Sequence, residues 1–138
     1  MARVSTYLNF MGQTEEALTY YGEVFGTSVR DLVRFGESGM THLPPEEQDG
    51  VMHAELEILT GHVLQATDML PSMGHATRIG NNTTIALEPD SQAEADRLYD
   101  ALSAGGSEST GMSQMPFGYW GVTLDRFGIR WMVNYAPR

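Results

Sequence analysis

Residues 51–69 read VMHAELEILTGHVLQATDM. Two stretches of alternating polarity flank Thr60 and Gly61. Successive side chains on a strand point to opposite faces, so Met52, Ala54, Leu56 and Ile58 share one face and His53, Glu55 and Glu57 the other. In the second stretch Leu64 and Ala66 alternate with Gln65 and Thr67. Two strands around so short a break form a β-hairpin. Strands that follow one another without a helix between them run antiparallel, which points to the α+β class.

Working outward from the hairpin, RVSTYLNF (3–10) reads as a strand. A helix follows, with Thr14 as its expected N-cap and Glu15 and Glu16 at the positive end of its dipole. Ala17, Leu18, Tyr21, Val24 and Phe25 make its apolar stripe, and Gly26 ends it. A second strand places Val29, Asp31, Val33 and Phe35 opposite Ser28, Arg30, Leu32 and Arg34. The Gly-, Pro- and acid-rich segment 36–50 reads as a long mobile loop. The first half is therefore strand, helix, strand, strand, strand.

The second half repeats that order after a linker over 70–82. TTIALEP is a strand, and SQAEADRLYDALSAGG a helix. Ser91 and Glu94 form its capping box, Ala95, Leu98 and Leu102 its stripe, and Gly105–Gly106 its stop. A weak polar strand at 107–112 and strands at YWGVTLD and IRWMVNY complete the set. The expectation is a single domain of two βαβββ modules, about 1–70 and about 80–138. They would share one curved, mostly antiparallel sheet, with helices on the convex face and a ligand in the concave one.

Composition narrows the chemistry. The 138 residues contain no Cys and no Lys, and all eight basic residues are Arg. Thiolate nucleophiles, Cys-based zinc sites, Schiff-base lysines and phosphate-loop lysines are thereby excluded. The formal net charge of −10 argues against a nucleic-acid partner. No apolar run approaches the roughly 20 residues that span a membrane. The opening MARVSTYLNF lacks the basic head and apolar stretch of a signal peptide, so a cytoplasmic protein is expected. No HExxH, GxSxG, GxGxxG or phosphate-loop motif occurs.

His53, Glu55 and Glu57, on one strand face, resemble a divalent-metal set. Same-face neighbours on one strand lie about 6.5–7 Å apart, an awkward bite for one small ion. His53 reads either as a hydrogen-bonded structural histidine or, with Glu55 beside it, as a general acid/base. Trp120 and Phe117, in and beside PFGYW, are candidates to stack on a ligand or to seal a dimer contact. Trp131 belongs to the core by alternation, which leaves Arg130, Met132 and Asn134 facing the cavity.

YLNFMG at 7–12, YYGEVFG at 20–26, HAELEI at 53–58 and LDRFGIRWMVNY at 124–135 occur in the order and spacing of a known superfamily. The chain resembles the vicinal oxygen chelate superfamily (glyoxalase I, bleomycin-resistance proteins, extradiol dioxygenases), and within it the PhnB-like group. The resemblance implies paired βαβββ modules, a homodimer and a site in the concave sheet. Its metal-dependent members take a His or Gln, a Glu, a His and a Glu from positions that fall here on Thr6, Gln65, Thr84 and Met132. Three of these are poor ligands for Zn, Ni or Fe, so no metal and no other cofactor is expected. Polarity does not settle which face Thr6 takes, because Val4, Leu8 and Phe10 share it. Some PhnB-like proteins are described as 3-demethylubiquinone methyltransferases, yet this chain has no glycine-rich strand-to-helix turn for a nucleotide-type cofactor.

The first reading is a protein that binds a small organic ligand through Thr6, Gln65, Thr84, Trp120, Met132 and Asn134. The alternatives are a glyoxalase- or dioxygenase-type enzyme with His53, Glu55 and Gln65 in an unusual site, and a metal-free isomerase or lyase with His53 as base.

Overall fold

The computed structural model describes residues 1–137. They form two compact units, Met1–Arg78 and a second beginning at Ile79. The class is α+β, and the βαβββ order occurs twice.

In the first unit β1 (Thr6–Phe10) leads into α1 (Thr14–Phe25), then β2 (Arg30–Arg34), a short α2 (Pro45–Gln48), β3 (Val51–Ile58) and β4 (His62–Asp68). The sheet order is β1-β4-β3-β2. Helix α1 carries the chain across the face later filled by β4 and β3. Two antiparallel steps then bring β4 back beside β1, parallel to it. In the second unit β5 (Ile85–Leu87), α3 (Gln92–Ser103), β6 (Ser113–Met115), β7 (Gly118–Leu124) and β8 (Arg130–Tyr135) repeat the route, in the order β5-β8-β7-β6. The single sheet expected from sequence is thus two four-stranded mixed sheets, each closed within its own unit.

Each sheet buries one face under one helix. Ala17, Leu18 and Tyr21 of α1 are fully buried, as are Ala54, Leu56, Leu64 and Ala66 of the strands beneath. Glycine at position 22 lets the chain turn back closely after α1, since a Cβ there would meet the Thr27 carbonyl oxygen at 2.7 Å. In the second unit Ala95, Leu98 and Leu102 pack over Trp131 and Val133.

Several local expectations need correction. Thr14 is the first helical residue of α1, not its cap. Its N–H and Oγ1 both bond Asp68, 54 positions away (3.0 and 2.7 Å). The alternation expected across β2 is broken by a register shift between Arg30 and Val33, where Asp31 takes a positive φ of 53°. A second shift, between Val33 and Arg34, makes Met52 an extra residue of β3. Met52 therefore packs on a separate cluster of Phe35, Leu43 and Leu70 instead of under α1. Segment 36–50 holds two helical turns and buries Leu43, whose carbonyl accepts a bond from Gln48 Nε2 (2.9 Å). The polar strand expected at 107–112 forms instead at 113–115. Before it, Ser107 bridges Leu124, and Glu108 then turns the chain with φ 50°.

Candidate functional site

On the first sheet, the face away from α1 carries a row in direct register: Tyr7, Gln65, Glu55 and Arg30, one residue from each strand. Gln65 is half-buried between the fully buried Leu64 and Ala66. Tyr7 is half-exposed. Thr67, next on this face, donates to the Met52 carbonyl at 2.7 Å. The face also carries two valines, Val63, buried beside Glu57, and Val33, opposite His53.

Glu55 gathers the charges of this face. Arg3 and His53 Nε2 approach its Oε2 at 3.4 Å, and Arg30 approaches Oε1 at 3.4 Å. The Glu55 side chain is 14% exposed. Desolvation alone would raise its pKa. The hydrogen bond from His53 and the charges of Arg3 and Arg30 together outweigh that effect, and the carboxyl sits below the usual glutamate value. Glu55 is therefore a held carboxylate, with His53 as one of its partners.

The structure separates Thr6 from this group. Thr6 pairs with Leu64, so it lies on the face opposite Gln65, and its hydroxyl bonds His62 Nε2 at 2.9 Å. Tyr7 takes the place beside Gln65. Leu8 and Phe10, on the same face as Thr6, are core residues.

On the second sheet, Met132 and Asn134 of β8 alternate with the fully buried Trp131 and Val133, as the alternation predicts. Met132 lies between Ala86 and Val122 in register, and Asn134 lies opposite Trp120. Thr84 is exposed, just outside β5. Phe117 stands edge-on to Trp120, with ring centroids 5.9 Å apart. Among the described residues, Asn134 Oδ1 and Arg130 Nε on this face are buried without a hydrogen-bond partner.

Residues 2–134 match the family described as 3-demethylubiquinone-9 3-methyltransferase. The chain belongs to that family. It is 31% identical to protein PA1353 from Pseudomonas aeruginosa, with complete coverage of both chains and a TM-score of 0.85. It is 27% identical to Protein YjdN of Escherichia coli over 98% of this chain and 96% of that one. Fold similarity extends to a glyoxylase/bleomycin resistance protein/dioxygenase domain from Frankia (16% identity, TM-score 0.67, covering 99% of this chain and 98% of that one). The Frankia likeness extends to the fold alone.

For this 3-demethylubiquinone-9 3-methyltransferase family member, a resident divalent ion fits the residues poorly. Among the described residues no three His, Asp or Glu side chains are grouped to hold one. Of the four implied positions, Thr6 and Gln65 face opposite ways and Thr84 lies outside its strand. Met132 offers only a soft thioether.

Two buried carboxylates organise these faces from behind, and the role of neither was read from the sequence. Asp68 accepts from Thr14 twice and from Val51 N–H at 2.8 Å. Asp125 accepts from Phe127 N–H and Ile129 N–H, both at 2.9 Å, and from Trp131 Nε1 at 2.8 Å. The Asp125 turn holds Trp131 inward, and so turns Met132 outward.

Proposed function

We propose that this protein is a PhnB-like small-molecule binder that holds an organic ligand without a metal of its own. The row Tyr7, Gln65, Glu55 and Arg30 carries this reading. It sets hydrogen-bonding groups on a sheet face that α1 leaves uncovered, at the centre of an otherwise well-packed unit. Trp120, Met132 and Asn134 provide an aromatic surface, a polarizable contact and an amide on the equivalent face of the second unit. That second face, with few polar groups among apolar and aromatic ones, has the usual make-up of a small-molecule site.

The family description names methyl transfer. The turn from β1 into α1 is Met11–Gly12–Gln13, with one glycine, and β1 has a single parallel neighbour. A glycine-rich cradle for a nucleotide-type methyl donor is not built at that turn. The reading also includes a homodimer, as the superfamily resemblance implies, for which light scattering would give twice the chain mass.

The test is a thermal-shift screen of small organic compounds on chelator-treated protein, since a ligand selective for the folded state raises its melting temperature. The expected result is stabilisation that is weakened in Gln65→Ala or Asn134→Ala. Stoichiometric Ni, Zn, Fe or Mn in protein purified without chelator, lost in His53→Ala and Gln65→Ala, would overturn the metal-free reading.

A further inference from the structure

Arg130 is the outlier on the second sheet. It sits on β8 on the same face as Met132 and Asn134, and its side chain is only 13% exposed. An arginine so far out of water needs its donors filled. Nη2 donates to Glu108 Oε1 at 3.2 Å, long for a charge-assisted bond, and to the Gly80 carbonyl at 3.3 Å, just beyond the ordinary range. Nε is buried and, among the described residues, has no acceptor.

The Nε–H and one Nη2–H lie on the same edge of a guanidinium and form a two-pronged fork that matches a carboxylate or phosphate. Glu108 offers a single oxygen, to Nη2 alone. It does so from an exposed position, with its side chain 57% exposed and its backbone in the left-handed region, at φ 50°. A non-glycine residue adopts that conformation at a cost. An exposed, single-oxygen contact to an ion is weakly held.

We infer that Arg130 is the anchor for an anionic group, a carboxylate or phosphate, on the ligand of the second sheet, and that Glu108 is a stand-in which the ligand displaces. The ligand anion fills both prongs, whereas Glu108 reaches Nη2 alone. This assignment rests on the small-molecule-binding reading and adds the charge class of the ligand to it.

The experiment follows the Arg130 Nε–H resonance in ¹H–¹⁵N spectra of the full chain. The probes are benzoate and inorganic phosphate at constant ionic strength, with benzamide as the neutral match to benzoate. The expected result is a saturable shift of that resonance with at least one anion and none with benzamide. Arg130→Gln should weaken binding of that anion about tenfold or more, as loss of a bidentate ionic contact implies. Glu108→Gln should strengthen it severalfold, because the competing carboxylate is gone. A merely structural Arg130–Glu108 pair would not produce that gain. If neither anion shifts the resonance, or if Glu108→Gln weakens binding, the assignment is overturned. If the anions fail while the thermal-shift screen still yields a neutral ligand, the anchor alone falls and the binding reading stands. If no compound of any charge binds, both fall.

Discussion

Asp68 caps α1 from the end of β4: its Oδ1 accepts both the Thr14 N–H at 3.0 Å and the Thr14 hydroxyl at 2.7 Å. Its second oxygen accepts the Val51 N–H at 2.8 Å, so one buried carboxylate joins the start of the helix, the start of β3 and the end of β4. Three donors converging on a buried acceptor leave large penalties when that acceptor is removed. Asp68→Ala is expected to cost about 3 kcal/mol, measured by urea unfolding, with Asp68→Asn costing less. A loss under about 0.5 kcal/mol, the scale of an ordinary surface change, would contradict the cap.

Gly118 opens β7 with φ 146°, and a Cβ there would stand 2.4 Å from Asn134 Oδ1 and 2.9 Å from the Tyr135 carbonyl oxygen. Gly118→Ala should destabilise the protein by about 1–3 kcal/mol through overpacking and backbone strain. Adding Asn134→Ala should relieve part of that cost and not all of it, because the Tyr135 oxygen remains. Full recovery in the double variant would show that Asn134 alone sets the requirement for glycine.

Glu55 makes a pH prediction. Its folded-state pKa lies below the ordinary value because His53, Arg3 and Arg30 together outweigh its desolvation. A depressed carboxyl contributes stability that is fully present above the unfolded-state pKa, about 4.3, and is lost as pH falls through the lower folded value. The difference in urea midpoint between the native protein and Glu55→Gln should therefore be constant near neutrality and shrink below that pH. A Glu55 carboxyl that titrates by NMR at or above the ordinary glutamate value would contradict the arrangement of charges around it.

The indole of Trp131 donates to Asp125 Oδ2 at 2.8 Å in the core. Trp131→Phe removes that buried hydrogen bond, at a cost of about 1–3 kcal/mol. It should also loosen the outward setting of Met132, seen as broadening of the Met132 methyl resonance. An unchanged methyl signal alongside the stability loss would confine the role of Trp131 to packing.

Much of this fold was legible in the sequence because it rests on local periodicity. The serine cap of α3 is in place, with Ser91 Oγ accepting the Glu94 N–H at 3.1 Å. The other half of that box is not, because the Glu94 carboxylate pairs with Arg97 at 2.6 Å. Alternation placed Gln65 and Met132 on the open faces for the same local reason. What was not legible depends on partners distant in the chain. The Asp68 cap spans 54 positions, and the face of Thr6 is decided by its register with Leu64. The shifts at Asp31 and Met52 are properties of strand pairing, which no single strand reveals.

The most direct test of the central claim is to map, by ¹H–¹⁵N shifts on metal-free protein, where the best compound from the thermal-shift screen binds. The account predicts saturable shifts centred on Tyr7, Glu55 and Gln65 or on Trp120, Met132 and Asn134, unchanged by added chelator. Shifts centred on the exposed sides of α1 or α3, or binding that appears only when a divalent metal is restored, would contradict it.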